Sequence, residues 1–120
     1  MKKIVIVLVM LFAASTAFAQ FQLGTFPVGK WLDPNYDAVW EFTSNNIRIL
    51  SPRGTVLYDF DDVSIYDFSI FLDGTQPGIT FACIESKRRY RFIKPLTNND
   101  VIMEIQREGM EKYTVHMPKQ

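Results

Sequence analysis

From residue 28 onward, the chain consists of short runs in which apolar and polar residues alternate, separated by turn-forming residues. Alternation with a period of two is typical of β-strands that have one buried face and one wet face. In residues 36–43, for example, Tyr36, Ala38, Trp40 and Phe42 fall on one face of such a strand. The pattern predicts about nine strands, at residues 28–32, 36–43, 46–50, 55–60, 63–72, 79–85, 88–94, 101–106 and 111–117.

The segments between these runs are rich in Gly, Pro, Asn, Asp and Ser, which favour turns. Residues 73–78, Asp-Gly-Thr-Gln-Pro-Gly, form the strongest predicted break, and residues 20–27 read as a short lead before the first strand. Residues 99–109 allow a second interpretation, because Asn99 can cap a helix that Gly109 would end. A terminal hairpin fits the alternation of Val101, Met103 and Ile105 better.

Strands this short and evenly spaced indicate an all-β fold built as an antiparallel up-and-down meander of about eight to nine strands. A closed or partly closed barrel is the predicted arrangement, because closure removes exposed strand edges. An open sandwich of two sheets is the second possibility.

The first 19 residues have the features of a cleavable secretion signal. Lys2 and Lys3 precede an apolar run, and Ala17-Phe18-Ala19 supplies the small residues that signal peptidase requires. The apolar stretch is shorter than the ~20 residues that span a bilayer as a helix. We therefore expect a signal peptide at 1–19, a single all-β domain at 20–120, and export to the bacterial periplasm or the exterior.

The charge balance and the numbers of Cys and His residues exclude several classes of function. The chain has 13 Lys and Arg against 13 Asp and Glu, and removal of the signal leaves a net charge of about −2, which gives no general attraction to nucleic acid. One cysteine, Cys83, and one histidine, His116, are too few for a disulfide framework, a Cys-rich zinc site or most His-based triads within one chain. The motifs G-x-S-x-G and H-E-x-x-H are missing. The sequence thus predicts a protein that is not an enzyme and has no cofactor or metal site.

The residues Val28-Gly29-Lys30-Trp31-Leu32-Asp33 open the first strand, and this G-x-W start ahead of a series of hairpins resembles the lipocalins and the wider calycin superfamily. The resemblance implies an up-and-down barrel that encloses a small apolar ligand, with Gly29 and Trp31 at its closed end. It also implies a basic residue packed across Trp31 from near the last strand, where this chain has Lys112 and, just before it, Arg107. The family's second motif, T-D-Y, is missing.

The inward faces of the predicted strands carry many aromatic residues. Those expected to line a ligand cavity are Tyr36, Trp40, Tyr58, Phe68, Phe81 and Phe92. With Phe42, Phe60, Tyr66, Tyr90 and Tyr113 also facing inward, the rings can equally fill a small barrel themselves. Both a ligand-binding barrel and a packed core remain open at this stage.

The second functional hypothesis is a module that binds a protein partner, or inhibits or assists an exported enzyme, through its outer surface. Arg89 and Arg91 share the strand face opposite Tyr90 and Phe92 and can hold an anion or an acidic partner, with the 73–78 loop as a further contact. The alternative for this face is pairing with acids on adjacent strands. The acidic residues 59–62 could offer oxygen ligands to calcium but lack the glycine and distal glutamate of an EF-hand loop, so a solvated corner is favoured.

Overall fold

The computed structural model describes residues 21–120, so the expected signal at 1–19 lies outside the described residues. The described chain is all-β, as the alternation predicts. Its nine strands are β1 (Gly29–Asp33), β2 (Ala38–Phe42), β3 (Ile47–Leu50), β4 (Val56–Asp59), β5 (Ile65–Asp73), β6 (Gln76–Cys83), β7 (Arg88–Ile93), β8 (Val101–Arg107) and β9 (Tyr113–Met117). A 3-10 turn, Phe60–Asp62, follows β4. No helix among these residues is long and apolar enough to cross a membrane.

The strands form two antiparallel sheets. The first has the order β1-β2-β3-β4 and the second β5-β6-β7-β8-β9, so each sheet is a simple meander of sequence neighbours. Residues 101–107, for which a helix was the alternative, pair with both β7 and β9. The strand is preferred because Val101 and Met103 then share the buried face with Phe92 and Val115.

The two sheets are joined along one side. The Leu32 amide donates to the carbonyl of Pro118 at 2.9 Å, and the Gln120 amide donates to the carbonyl of Lys30 at 2.8 Å. These bonds connect β1 to the C-terminal tail that follows β9. On the other side, β4 and β5 are the outer strands of their sheets, and no ladder pairs them within residues 21–120. The described strands therefore form two sheets and not one closed barrel.

The core between the sheets is mostly aromatic. Phe42 contacts Phe92 edge to face at 5.0 Å, and Phe60 contacts Phe81 at 5.4 Å, so rings from both sheets meet in the middle. Residues 21–26 belong to this core, although the sequence reads as a mere lead there. Phe21 is fully buried and packs against Phe81 at 5.0 Å, while the Leu23 amide donates to the carbonyl of Ser44. The apolar residues of this segment are too few to predict a strand, yet Phe21, Leu23 and Phe26 are buried.

The expected inward position of Tyr66 was wrong, and the turn predicted at residues 73–78 is shorter than expected. Tyr66 was expected to face inward with Phe68, but it is half exposed because the β5–β6 register shifts between Tyr66 and Ser69. Asp67 lies in this bulge with φ of 55°, and a bulge reverses the alternation of the residues beyond it. The predicted 73–78 loop is a tight hairpin in which Asp73 pairs with Gln76, so Pro77 and Gly78 belong to β6.

Candidate ligand-binding site

A cavity of about 360 Å³ lies between the two sheets, next to the β1–β2 and β8–β9 turns. Its lining comes from both sheets and both turns: Asp33, Tyr36, Ala38, Trp40, Ile49, Arg88, Met103, Ile105, Arg107, Met110, Glu111 and Tyr113. The volume falls at the lower end of the about 300–1,000 Å³ that small-molecule sites occupy.

Apolar side chains form the inner wall of the cavity. Trp40 comes from β2, Ile49 from β3, and Met103 and Ile105 from β8. Trp40 is itself buried and packs against Phe60 at 5.8 Å and Phe92 at 5.4 Å. The wall is therefore held by the aromatic core behind it, which favours a preformed site.

A buried acid lies at one edge of the cavity. Asp33 is only 2% exposed, and its carboxylate accepts hydrogen bonds from the Tyr113 hydroxyl at 2.9 and 3.0 Å and from the Asn35 amide at 2.9 Å. The Asn35 side chain also donates to the Tyr113 hydroxyl at 2.9 Å. Burial, reinforced by Asp33 and opposed by Asn35, raises the pKa of Tyr113, so its hydroxyl keeps its proton and donates to Asp33. This cluster fixes the β1–β2 turn against β9.

Two arginines lie at another edge of the cavity. Arg88 on β7 and Arg107 on β8 are directly opposite each other in the ladder, and both are half-buried. Within residues 21–120, neither side chain forms an ion pair with an acid. The arginines of other strands do: Arg48 lies 2.6 Å from Glu41, and Arg91 lies 3.3 Å from Glu104.

The six residues predicted to line a ligand cavity are divided by the structure. Tyr36 and Trp40 line the cavity described above, although Tyr36 lies in the β1–β2 turn and is 72% exposed, not inward-facing as expected. Phe81 and Phe92 are fully buried in the core, and Tyr58 and Phe68 pack against it. The Tyr58 hydroxyl lies 3.7 Å from the sulfur of Cys83. Burial and this contact raise the pKa of Tyr58 above its ordinary value of 10.0.

Gly29 and Trp31 are close together at a buried position. The Trp31 indole is fully buried and donates to the carbonyl of Asn99 at 2.7 Å. Gly29 has φ of 153°, and a Cβ there would lie 3.1 Å from the Trp31 ring, so glycine allows the ring its close approach. The cation of Lys119 lies over the Trp31 ring, with its Nζ 5.8 Å from the ring centroid. The expected Lys112 instead pairs with Glu104 at 3.6 Å, and Arg107 lines the cavity.

Arg89 and Arg91 lie on the outer face of the second sheet, and each has an acidic partner. Arg89 lies 3.0 Å from Asp67, and Arg91 lies between Glu104 and the ring of Phe71, 4.8 Å from the ring centroid. Arg89 also borders a shallow outer groove of about 680 Å³ near the β6–β7 turn, together with the exposed side chains of Tyr66 and Ile84.

The remaining candidate residues have structural partners or surface positions. Asp59 accepts from the Asn46 side chain and from the Asp61 amide, both at 2.9 Å, and so caps the 3-10 turn. His116 is exposed on β9, and Cys83 is buried. No group of three or more His, Cys, Asp or Glu side chains that could hold a metal ion occurs among residues 21–120.

The sequence interpretation missed the two cavity arginines, although a signal for them exists. Arg88 has the same strand parity as the buried Tyr90 and Phe92, and Arg107 has the same parity as Met103 and Ile105. Each arginine therefore continues an inward-facing row at the end of its strand. The sequence interpretation considered only Arg89 and Arg91, on the opposite face of β7, and gave Arg107 a possible place across Trp31.

Comparison of the chain with models of protein families, with curated proteins and with solved structures returned no match.

Proposed function

We propose that this protein is an exported binding protein that holds a small amphipathic ligand in the cavity between its two sheets. The observation that carries the proposal is the combination of an apolar wall with polar edges in one cavity of about 360 Å³. Sites for small molecules typically have this composition, in which apolar surface supplies affinity and a few polar groups set orientation. The missing catalytic motifs support a role in binding, without an enzymatic activity or a cofactor.

The proposal includes a partly closed, lipocalin-like barrel. Its support is the meander order together with the hydrogen bonds from β1 to residues 118–120, which bring the first strand to the end of the last. Gly29, Trp31 and the cation of Lys119 over the indole agree with the arrangement that the G-x-W start implies. The signal-like residues 1–19 support export to the periplasm or the exterior.

A substitution that fills the cavity tests the proposal directly. Ala38 lies on the cavity wall, and Ala38→Phe places a ring in the space that the ligand would use. Thr114→Phe, on an exposed position of β9, is the matched control. Native mass spectrometry of residues 20–120 and calorimetric titration with octanol and octanoate should show one bound molecule per chain. We expect binding to be at least about tenfold weaker in Ala38→Phe only, which corresponds to about 1.4 kcal/mol.

Fluorescence provides a second readout, because Trp40 lines the cavity and Trp31 does not. A ligand-induced change in emission should persist in Trp31→Phe and disappear in Trp40→Phe. Equal binding by Ala38→Phe and Thr114→Phe, or a fluorescence change that survives Trp40→Phe, would place the ligand elsewhere and contradict the proposal.

The second candidate function is recognition of a protein partner at the outer groove. It is favoured by the exposed apolar side chains of Tyr66 and Ile84 beside the cations of Lys87 and Arg89. Exposed aromatic and aliphatic groups beside arginine are common at protein interfaces. Arg89→Glu should abolish partner capture, while small ligands should leave the melting temperature unchanged.

A further inference from the structure

We infer that the ligand carries an anionic head group, which Arg88 and Arg107 bind together. This inference rests on the proposed ligand-binding function and specifies the chemical class of the ligand. The two guanidinium groups come from facing positions of adjacent strands, where Cβ atoms are about 4.5–5.5 Å apart. Both side chains continue inward-facing rows and line the same cavity as Trp40 and Met103.

Arg88 and Arg107 place two positive charges at facing positions of adjacent strands. Like charges directly opposite each other in a sheet are destabilising. Arg48, Arg89 and Arg91 each lie within 3.3 Å of a carboxylate, whereas Arg88 and Arg107 have no carboxylate within 4.0 Å among the described residues. Half-burial reduces the hydration that would otherwise offset the repulsion. A bound anion would neutralise the pair and accept charge-assisted hydrogen bonds from both forks.

The acids of the cavity do not provide that anion. The Asp33 carboxylate is 2% exposed and accepts from Tyr113 and from the Asn35 amide. Glu111 lines the cavity but forms no ion pair with either arginine. The apolar wall then receives the rest of the ligand. The chemistry that fits is a small amphiphile whose head is a carboxylate or a phosphate monoester and whose body is a short alkyl chain or an aromatic ring.

The test compares four probes with the same alkyl chain: octanoate, octyl phosphate, octanol and octylamine. Calorimetric titration should give Kd values for the two anions at least about tenfold below the value for octanol. Arg88→Gln and Arg107→Gln should each weaken binding of the two anions far more than binding of octanol, and so remove this preference. Arg91→Gln is the matched control, because Arg91 pairs with Glu104 on the outer face. Glu111→Gln should tighten anion binding, since it removes a like charge from the cavity wall.

The outcomes distinguish failure of the anionic head group from failure of the ligand-binding function. Equal affinity for octanoate and octanol would overturn the anionic head group and keep the ligand-binding function. Preference for octylamine would also overturn it and would assign recognition to Asp33 and Glu111. Failure of all four probes to bind would count against both. The ratio of octanoate to octyl phosphate affinity decides between a carboxylate and a phosphate head. Thermal melts of each variant show whether a loss of binding reflects unfolding. Arg107→Lys conserves the charge and should retain the anion preference.

Discussion

At the scale of single residues, Asp33 is the buried charged side chain among residues 21–120. A carboxylate that is 2% exposed is costly to bury unless its oxygens accept hydrogen bonds. Tyr113 supplies one donor from the far end of the chain, and Asn35 supplies another from the adjacent turn. The cavity edge is thus held by a contact between residues that are 80 positions apart.

Removing the Tyr113 hydroxyl tests this contact. Tyr113→Phe should lower the free energy of unfolding by about 1–3 kcal/mol, because the buried carboxylate loses a donor. Urea denaturation measures the change. Tyr66→Phe is the control, because Tyr66 is half exposed. Loss of the Tyr66 hydroxyl should change the free energy of unfolding by less than about 0.5 kcal/mol. Equal effects of the two substitutions would show that the Asp33 contact contributes nothing specific.

The raised pKa values of three tyrosines predict how stability changes at alkaline pH. Burial is the main cause that raises the pKa values of Tyr58, Tyr90 and Tyr113 above 10.0. The unfolded chain therefore releases protons near pH 10 while the folded chain keeps them, so stability falls as pH rises above about 10. Melting temperature measured from about pH 8 to about pH 11 should decline. In Tyr90→Phe the decline should be shallower, and an unchanged profile would contradict the assignment.

At the scale of the strands, the β5–β6 pair at the edge of the second sheet contains a glycine that an aromatic ring covers. Gly78 on β6 faces Phe71 on β5, and a Cβ at Gly78 would lie 2.3 Å from the Phe71 ring. The ring thus covers the glycine and presents its face to Arg91 on β7. Three strands are linked on the outer face by side chains, in addition to their ladder hydrogen bonds.

This arrangement predicts that Gly78→Ala changes the free energy of unfolding in opposite directions with and without the Phe71 ring. Gly78→Ala should lower the free energy of unfolding by about 1 kcal/mol, because Phe71 must swing away and lose its contact with Arg91. In the Phe71→Ala background, the same change should stabilise by about 0.5 kcal/mol, since alanine loses less backbone entropy than glycine on folding. Urea denaturation of the four proteins gives the coupling. A destabilising effect of similar size in both backgrounds would show that Gly78 is required for another reason.

All nine strands are predictable from alternation, because one face of most strands is buried, whereas the division into two sheets between β4 and β5 is not. Alternation does not show where the inward and outward positions exchange, as they do at the Asp67 bulge. It also does not show that a short segment outside the strands enters the core, as the one with Phe21 does. Trp40 could be assigned to the site from its inward row. Arg88 and Arg107 could not, because charge normally marks the wet face, and their inward position depends on a tertiary cavity.

At the scale of the whole molecule, the aromatic core and the C-terminal tail hold the two sheets together. The tail acts locally as an added strand beside β1: it accepts from Leu32 and donates to Lys30, and Lys119 lies over the buried Trp31 ring. The pairing of the first strand with the end of the chain has the greatest sequence separation in the fold. Such long-range contacts form at a high entropic cost and contribute to the cooperativity of the folded state.

Deletion of residues 118–120 should therefore destabilise far more than the loss of an ordinary terminus. Two backbone hydrogen bonds and one cation–aromatic contact are removed, and Trp31 gains exposure, so we expect about 2–4 kcal/mol less free energy of unfolding. Lys119→Gln, which keeps the backbone bonds, should cost only about 0.5–1 kcal/mol. Hydrogen exchange at the Leu32 amide should accelerate in the deletion and stay slow in Lys119→Gln. If the two proteins are equally stable and exchange alike, the tail does not join the sheets, and the aromatic core alone must hold them together.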